Sequence, residues 1–212
     1  MKYTVKEIYR TLQGEGAQVG RAAVFCRFTG CNLWSGHEKD RAAAICQFCD
    51  TDFVGTNGPG GGIFASADEL AAAVANCWPG KASGAKPFVV CTGGEPLLQL
   101  DDELVAAFHG AGFEVAIETN GTRLAPSEVD WICVSPKAHA ELVLTHGDEL
   151  KLVYPQSGAD PVQFEQLDFR HFFLQPMDGE RRVENTALAS RYCLEHPMWR
   201  LSVQMHKVIG LP

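Results

Sequence analysis

Cys31, Cys46 and Cys49 are the residues with the clearest capacity for chemistry. Fourteen residues separate the first pair and two the second, in a run that closes as Cys46-Gln47-Phe48-Cys49-Asp50-Thr51. Spacing of this kind suits a metal group. Three thiolates hold a four-iron cube by three of its corners and leave one iron open to a substrate or cofactor. An open position points to catalysis, whereas a fourth protein ligand would point to a structural role.

The chain has eight cysteines in 212 residues, which would also permit four disulfides, but that reading needs an oxidising compartment and a core too small to stand alone. Neither condition fits. The amino end carries charge without an apolar signal region, and no run of about eighteen apolar residues occurs. The expectation is a cytoplasmic protein with reduced thiols. With 46% hydrophobic and 21% charged residues, the composition is that of an ordinary globule with one sizeable core. The net charge of −8 argues against broad nucleic-acid or anionic-membrane binding. An anionic ligand would then need cations placed locally.

Elements suited to position these residues follow from apolar periodicity. Buried-strand candidates lie at 22–28, 87–91, 113–117, 131–134, 150–154, 171–174 and 200–203. Ser66-Ala67-Asp68-Glu69 reads as an N-cap and acidic first turn for a helix reaching about Cys77, and 100–111 and 184–195 have helical character. The rhythm is βα repeated about six times, which implies parallel strands with crossover helices. A full eight-unit barrel needs roughly 250 residues, so an incomplete (β/α)6 barrel is expected, with an open doubly wound sheet as the other possibility. The chain reads as one domain over 1–212, and 55–62, rich in glycine, as a flexible surface loop lacking the Gly-Lys-Ser/Thr ending of a phosphate cradle.

Ligands of such sheets gather at the carboxyl ends of the strands. Thr92-Gly93-Gly94-Glu95-Pro96, Glu118-Thr119-Asn120-Gly121-Thr122, Ser135-Pro136-Lys137 and Gln175-Pro176-Met177-Asp178 all follow candidate strands. Together they outline one rim. Along 22–28, Phe25, Arg27 and Thr29 share a face while Cys26 points the other way, so Arg27 is placed to enter the pocket and Cys26 to pack outward.

Three clustered cysteines with an aromatic residue before the last, Phe48, and a later Gly93-Gly94-Glu95 make the chain similar to the radical S-adenosylmethionine enzymes. The commoner first interval there is three residues; here 32–45 intervene, with 39–44 as a candidate short helix. A narrower resemblance rests on Thr11-Leu12-Gln13-Gly14-Glu15-Gly16, Phe25-Cys26-Arg27-Phe28-Thr29-Gly30-Cys31-Asn32-Leu33, Cys49-Asp50-Thr51 and the ending Gln204-Met205-His206-Lys207-Val208-Ile209-Gly210-Leu211-Pro212. These resemble the 7-carboxy-7-deazaguanine synthase family, in which the expanded interval is a variant.

That resemblance implies conversion of 6-carboxy-5,6,7,8-tetrahydropterin to 7-carboxy-7-deazaguanine with loss of ammonia, on the path to queuosine. It implies a 4Fe-4S cluster held by Cys31, Cys46 and Cys49, S-adenosylmethionine, magnesium at Thr51, an electron donor such as flavodoxin, and a homodimer. For the cofactor it implicates Phe48, Asp50, Gly94, Glu95, Ser135, Pro136, Lys137, Gln175, Pro176, Met177 and Asp178, with Glu95 accepting from the methionine ammonium. For the pterin it implicates Leu12, Gln13, Gly14, Glu15, Arg27, Thr92, His206 and the chain-end carboxylate of Pro212.

Plainer readings stand beside these. Cys26 with Cys31, Cys46 and Cys49 would make a four-thiolate zinc module, and a glycyl-radical-activating enzyme would share cluster and cofactor. Cys77, Cys91, Cys133 and Cys193 sit in apolar contexts and are expected in the core. Glu118 and Asn120 either shape their turn or touch ligand.

Overall fold

Among the described residues every strand joins one nine-stranded sheet. The structure, a computed structural model, describes residues 2–79 and 84–211. From β2 (Ala22–Phe28) the sheet runs through β4 (Phe88–Gly93), β5 (Glu114–Thr119), β6 (Trp131–Val134), β7 (His146–Tyr154), β8 (Asp168–Pro176) and β9 (Trp199–Leu201), each parallel to the last. Spatial order follows chain order without reversal, which removes the doubly wound alternative, since that topology requires a switch point. The expected α/β architecture is present as a partial barrel.

The interval-two alternation of the strands separates two environments. Val24, Cys26, Val89, Cys91, Val115 and Ile117 point outward into the main core, where they meet helices α1 (Ala67–Asn76), α2 (Asp102–Gly110) and α3 (Arg182–Glu195). Ala23, Phe88, Val90 and Ala116, flanked by Phe25 and Trp131, plug the inner face near the amino ends of the strands. Higher on that inner face the side chains turn polar.

Ser66 caps α1 by accepting from the Glu69 N–H at 3.2 Å, as its position predicts. Asp101 caps α2 and also accepts from the Tyr3 hydroxyl at 2.8 Å, which ties the first strand to that helix. Six full βα repeats do not form. The crossovers 120–130 and 135–145 carry no helix, and β7 to β8 carries a single 3-10 turn, Pro161–Phe164. Proline, glycine and short polar residues in those crossovers interrupt the helical period.

Two strands were not anticipated. β1 (Tyr3–Leu12) pairs antiparallel with β2, and β3 (Gly62–Phe64) pairs antiparallel with β1. A register shift between Val5 and Glu7 breaks the alternation of β1, so Val5 and Ile8 are both buried three positions apart. The glycine-rich stretch 55–62 is also not a free loop: Gly58 N–H donates to Lys6 O at 3.0 Å and Ile8 N–H to Pro59 O at 2.7 Å, so it docks along the edge of β1. Lys6, almost fully buried, anchors it through Val54 O, Asn57 Oδ1 and Asp52.

Candidate active site

A cavity of about 420 Å³ opens at the carboxyl ends of the parallel strands, and Cys31, Cys46 and Cys49 all line it. The fourteen-residue gap between the first two closes on itself. Ile45 N–H donates to Leu33 O at 3.1 Å and Cys46 N–H to the same oxygen at 3.3 Å. Residues 34–44 number eleven, and fourteen less eleven leaves three, Asn32, Leu33 and Ile45. The excursion therefore leaves the cysteines as near as the shorter interval would. Within it the expected short helix is a 3-10 segment, Glu38–Ala43.

Three thiols on one cavity wall fit a cluster held by three corners. Among the described residues, the one group of three such ligands whose atoms all lie within 4.8 Å of one another is Glu118, Cys133 and Glu149, so the three loop sulfurs are not drawn together as a compact single-ion site. Leu33 N–H reaches Cys31 Sγ at 3.4 Å, and the Phe48 and Thr51 N–H groups turn toward Cys46 and Cys49. Donors aimed at sulfur suit a cluster's thiolates and sulfides. A hydrogen bond from Cys46 holds the Cys49 thiol down to about 6, against the opposing effect of burial. Cys26 is fully buried in the outer core, across the sheet from the cavity. The four-thiolate zinc set is thereby excluded.

Beside the thiols, β4 ends in a turn that only glycine permits. Gly93 has φ +119°, and a Cβ on Gly93 or Gly94 would overlap the backbone of Phe28 or Gly30. The close approach is held by Gly94 N–H to Phe28 O at 3.2 Å and Glu95 N–H to Gly30 O at 2.9 Å. Glu95 itself does not line the cavity. It is fully buried, accepting from Leu97 N–H at 2.9 Å, the Thr119 hydroxyl at 2.7 Å and Asn120 N–H at 2.7 Å. Burial pushes its pKa up against those donors. Its oxygens thereby fix two rim turns.

Lys137 lines the cavity 6.0 Å from the Phe48 ring, its ammonium held by the Ser135 hydroxyl at 2.8 Å; burial depresses its pKa although the nearby thiols and Glu95 oppose that. Pro136 is buried behind this turn, its carbonyl accepting from Gln156 at 3.3 Å. Gln175, Pro176, Met177 and Asp178 line the wall opposite.

The floor holds one ammonium among three carboxylates. Lys151, with 4% of its side chain exposed, pairs with Glu15 at 2.6 Å and Glu118 at 2.7 Å. Glu149 receives Ala17 N–H at 2.7 Å, and Gln13 donates to Glu118 at 3.1 Å. Burial disfavours the ammonium, but Cys133 and the carboxylates outweigh it and raise the Lys151 pKa. Burial likewise works against the Glu15 anion, yet Lys151 wins and holds it below the usual carboxylate range. Glu118 goes the other way, raised by burial and by its acidic neighbours. Cys133 is buried as expected, with its sulfur beside Glu118 and Glu149, and Cys91 joins the main core.

At the other end stand Leu12, Gln13, Gly14 and Arg27. Arg27 donates from Nε to Glu7 at 2.7 Å and from Nη2 to the Tyr9 hydroxyl at 2.7 Å. Helix α4 (Met205–Ile209) brings His206 over the cavity, so close to Gly14 that a Cβ there would overlap the imidazole. Lys207 straps this helix down, with Asp50 and Asp178 each 2.6 Å from its ammonium. Thr51 and Thr92 complete the wall. Pro212 lies outside the described residues.

Sequence reasoning missed Glu7, Tyr9, Lys151, Gln204 and Lys207, all of which line the cavity. Glu7 and Tyr9 were hidden by the bulge in β1. Lys151 carried a visible signal, a lone cation within the apolar run 150–154.

No family model matches the chain. Over its whole length, however, it is 65% identical to a 7-carboxy-7-deazaguanine synthase of Caulobacter vibrioides and 63% identical to that of Bordetella pertussis, with 100% of each chain covered. The crystal structure of QueE from Escherichia coli matches it with a TM-score of 0.72 at 27% identity, covering 97% of this chain and 95% of that one. Full-length identity at this level, together with three loop thiols and a cation-bearing pocket in one cavity, places the chain in the 7-carboxy-7-deazaguanine synthase family.

Proposed function

We propose that this cavity converts 6-carboxy-5,6,7,8-tetrahydropterin to 7-carboxy-7-deazaguanine with loss of ammonia, cofactor at the thiol end and pterin at the Arg27 end. Family membership carries a 4Fe-4S cluster, S-adenosylmethionine and a pterin substrate. One observation supports the division of roles: Cys31, Cys46 and Cys49 share a single cavity with Gln13, Arg27 and His206. When bound, the reduced cluster and S-adenosylmethionine supply the radical that removes hydrogen from the pterin.

The remaining work belongs to the chain. Glu7 and Tyr9 hold the Arg27 guanidinium in one pose, leaving Nη1 for the substrate carboxylate. Glu118, whose carboxyl retains a proton more readily than a free glutamate, can pass that proton as ammonia leaves. Lys137, Gln175 and Asp178 ring the thiol end with groups suited to the cofactor's ribose and carboxylate. The α4 strap keeps His206 over the cavity and limits water access.

Anaerobic incubation of the reconstituted, reduced protein with S-adenosylmethionine and 6-carboxytetrahydropterin is expected to yield the deazaguanine acid by mass. Cofactor cleavage without that product would sink the substrate assignment. Arg27→Ala is expected to raise KM about 10- to 100-fold, the weight of one charge-assisted hydrogen bond, with visible cluster absorbance unchanged. Loss of the cluster in that variant would make Arg27 structural.

Magnesium fits Thr51 only as a lightly held ion. The adjacent carboxylates are engaged, Asp50 by Lys207 and Asp52 by Lys6, so water and substrate oxygens must complete the shell. Removal of divalent ions is expected to suppress turnover reversibly while leaving iron content intact, and undiminished turnover would exclude the ion.

The homodimer reading is supported by an apolar edge. On and next to the edge strand β9, Met198, Leu201 and Val203 are exposed, and an open edge strand invites a second copy. Sedimentation at micromolar concentration is expected to give twice the chain mass; a monomer would reject it. A one-electron donor such as flavodoxin goes with the cluster, and its reduced form should bleach the holoprotein's visible absorbance; no bleaching would count against it. All eight cysteines are free, as a reducing cytoplasm would keep them.

A further inference from the structure

The excursion between Cys31 and Cys46 does more than close a gap, because one of its side chains returns to the ligand loop. Arg41 Nη1 donates to Gln47 O at 3.0 Å and Cys49 O at 3.1 Å, spanning the Cys-x-x-Cys turn from outside. Its other contacts hold it there. Nε forks onto Glu38 at 2.9 and 2.8 Å, and the guanidinium lies 4.0 Å over the Trp34 ring. Trp34 in turn is buried edge-on against Phe53, with ring centroids 5.6 Å apart, so the brace stands on packed aromatics.

A trans peptide is planar, with C=O and N–H on opposite sides. The Gln47–Phe48 bond is trans, since the one cis bond among the described residues is Tyr154–Pro155. Fixing Gln47 O on Arg41 therefore sends the Phe48 N–H the opposite way, toward the cavity wall that Phe48 shares with Cys46. Hydrogen bonds to cluster sulfurs and nearby positive charge both favour the reduced, more negative state of a cluster.

The geometry points to Arg41 as a positioning residue of the cluster: through the Gln47–Phe48 peptide it aims an N–H at Cys46 and so raises the cluster's reduction potential. The inference rests on the cluster assignment made above. It gives the 34–44 excursion a task, supplying from outside the loop a clamp that a three-residue interval has no side chain to provide. Glu38 and Trp34 then serve to orient the clamp.

The test is an anaerobic redox titration of the reconstituted holoprotein, followed by electron paramagnetic resonance and iron analysis, on wild type, Arg41→Ala and Arg41→Lys. Arg41→Ala is expected to keep its iron and to show a ratio of reduced to oxidised cluster about tenfold lower at a fixed potential, a shift of about 59 mV for one electron. Arg41→Lys keeps the charge but not the planar donor pair, and is expected to fall between. Unchanged potentials with iron intact, Arg41→Lys identical to wild type, or iron lost from both variants would each overturn the proposal. A wild-type protein that forms no four-iron signal would instead overturn the cluster assignment itself.

Discussion

Cys46→Ala abolishes cluster assembly and S-adenosylmethionine cleavage together. Cys46 is nine-tenths or more buried on the cavity wall, shares a hydrogen bond with Cys49 and sits at the point where the excursion rejoins the loop. Its loss leaves two thiolates for three irons, and no other cysteine can substitute: Cys26 and Cys91 lie in the outer core, while Cys133 is committed to the charged floor. The expected result is an anaerobically reconstituted protein with little iron and no deoxyadenosine above background, though folded as judged by circular dichroism. Deoxyadenosine formed at wild-type rate would remove Cys46 from the ligand set.

Lys151→Met strips a buried ammonium from among Glu149, which is buried, and Glu15 and Glu118, which are largely so. Removing one partner of a buried ion pair costs roughly 3–5 kcal/mol, because the opposite charge stays behind without compensation. Lys151 is 4% exposed at its side chain, so solvent does little to lessen that cost. Urea unfolding at neutral pH is expected to show the loss, and adding Glu118→Gln should recover part of it. The pH dependence follows from the direction of the shifts. In wild type the Glu15 pKa is depressed, so its contribution is present above the unfolded carboxylate value and lost as pH falls through the folded one. In the variant the uncompensated carboxyls bind protons more tightly folded than unfolded, so stability rises toward acid. The two proteins should therefore converge as pH falls, and a constant gap from pH 7 to 5 would exclude an electrostatic origin.

The strap formed by Lys207 shows how distant segments share the site. Asp50 follows the last cluster cysteine, Asp178 follows β8, and Lys207 lies near the end of the chain, yet both carboxylates are 2.6 Å from one ammonium. Gln204 adds contacts to Glu15 at 3.1 Å and Asp50 at 3.3 Å. The cofactor end, the charged floor and the His206 helix are thus mechanically connected.

Much of this was legible in order along the chain. The parallel strands announced themselves as short apolar runs, the first helix by Ser66 and its acidic turn, the ligand loop by Cys46-x-x-Cys49, and the outward fate of Cys26 by simple alternation from Arg27. What depends on local period and residue type is written locally, because backbone sterics and side-chain alternation act over a few residues. Glu95 shows where that logic stops: the motif placed it at the rim, but which groups take a carboxylate's lone pairs depends on Thr119 and Asn120 of the next strand.

The sequence by itself determined the α/β class, the family and the close spacing of Cys46 and Cys49, since these reside in residue identity and spacing. Only the tertiary structure decided that β1 bulges to aim Glu7 and Tyr9 at Arg27, that Lys151 stands among Glu15, Glu118 and Glu149, and that residues 34–44 return to brace the loop. Such pairings join residues far apart in the chain, and their energies arise from burial and charge proximity, which exist once the sheet has closed around the cavity.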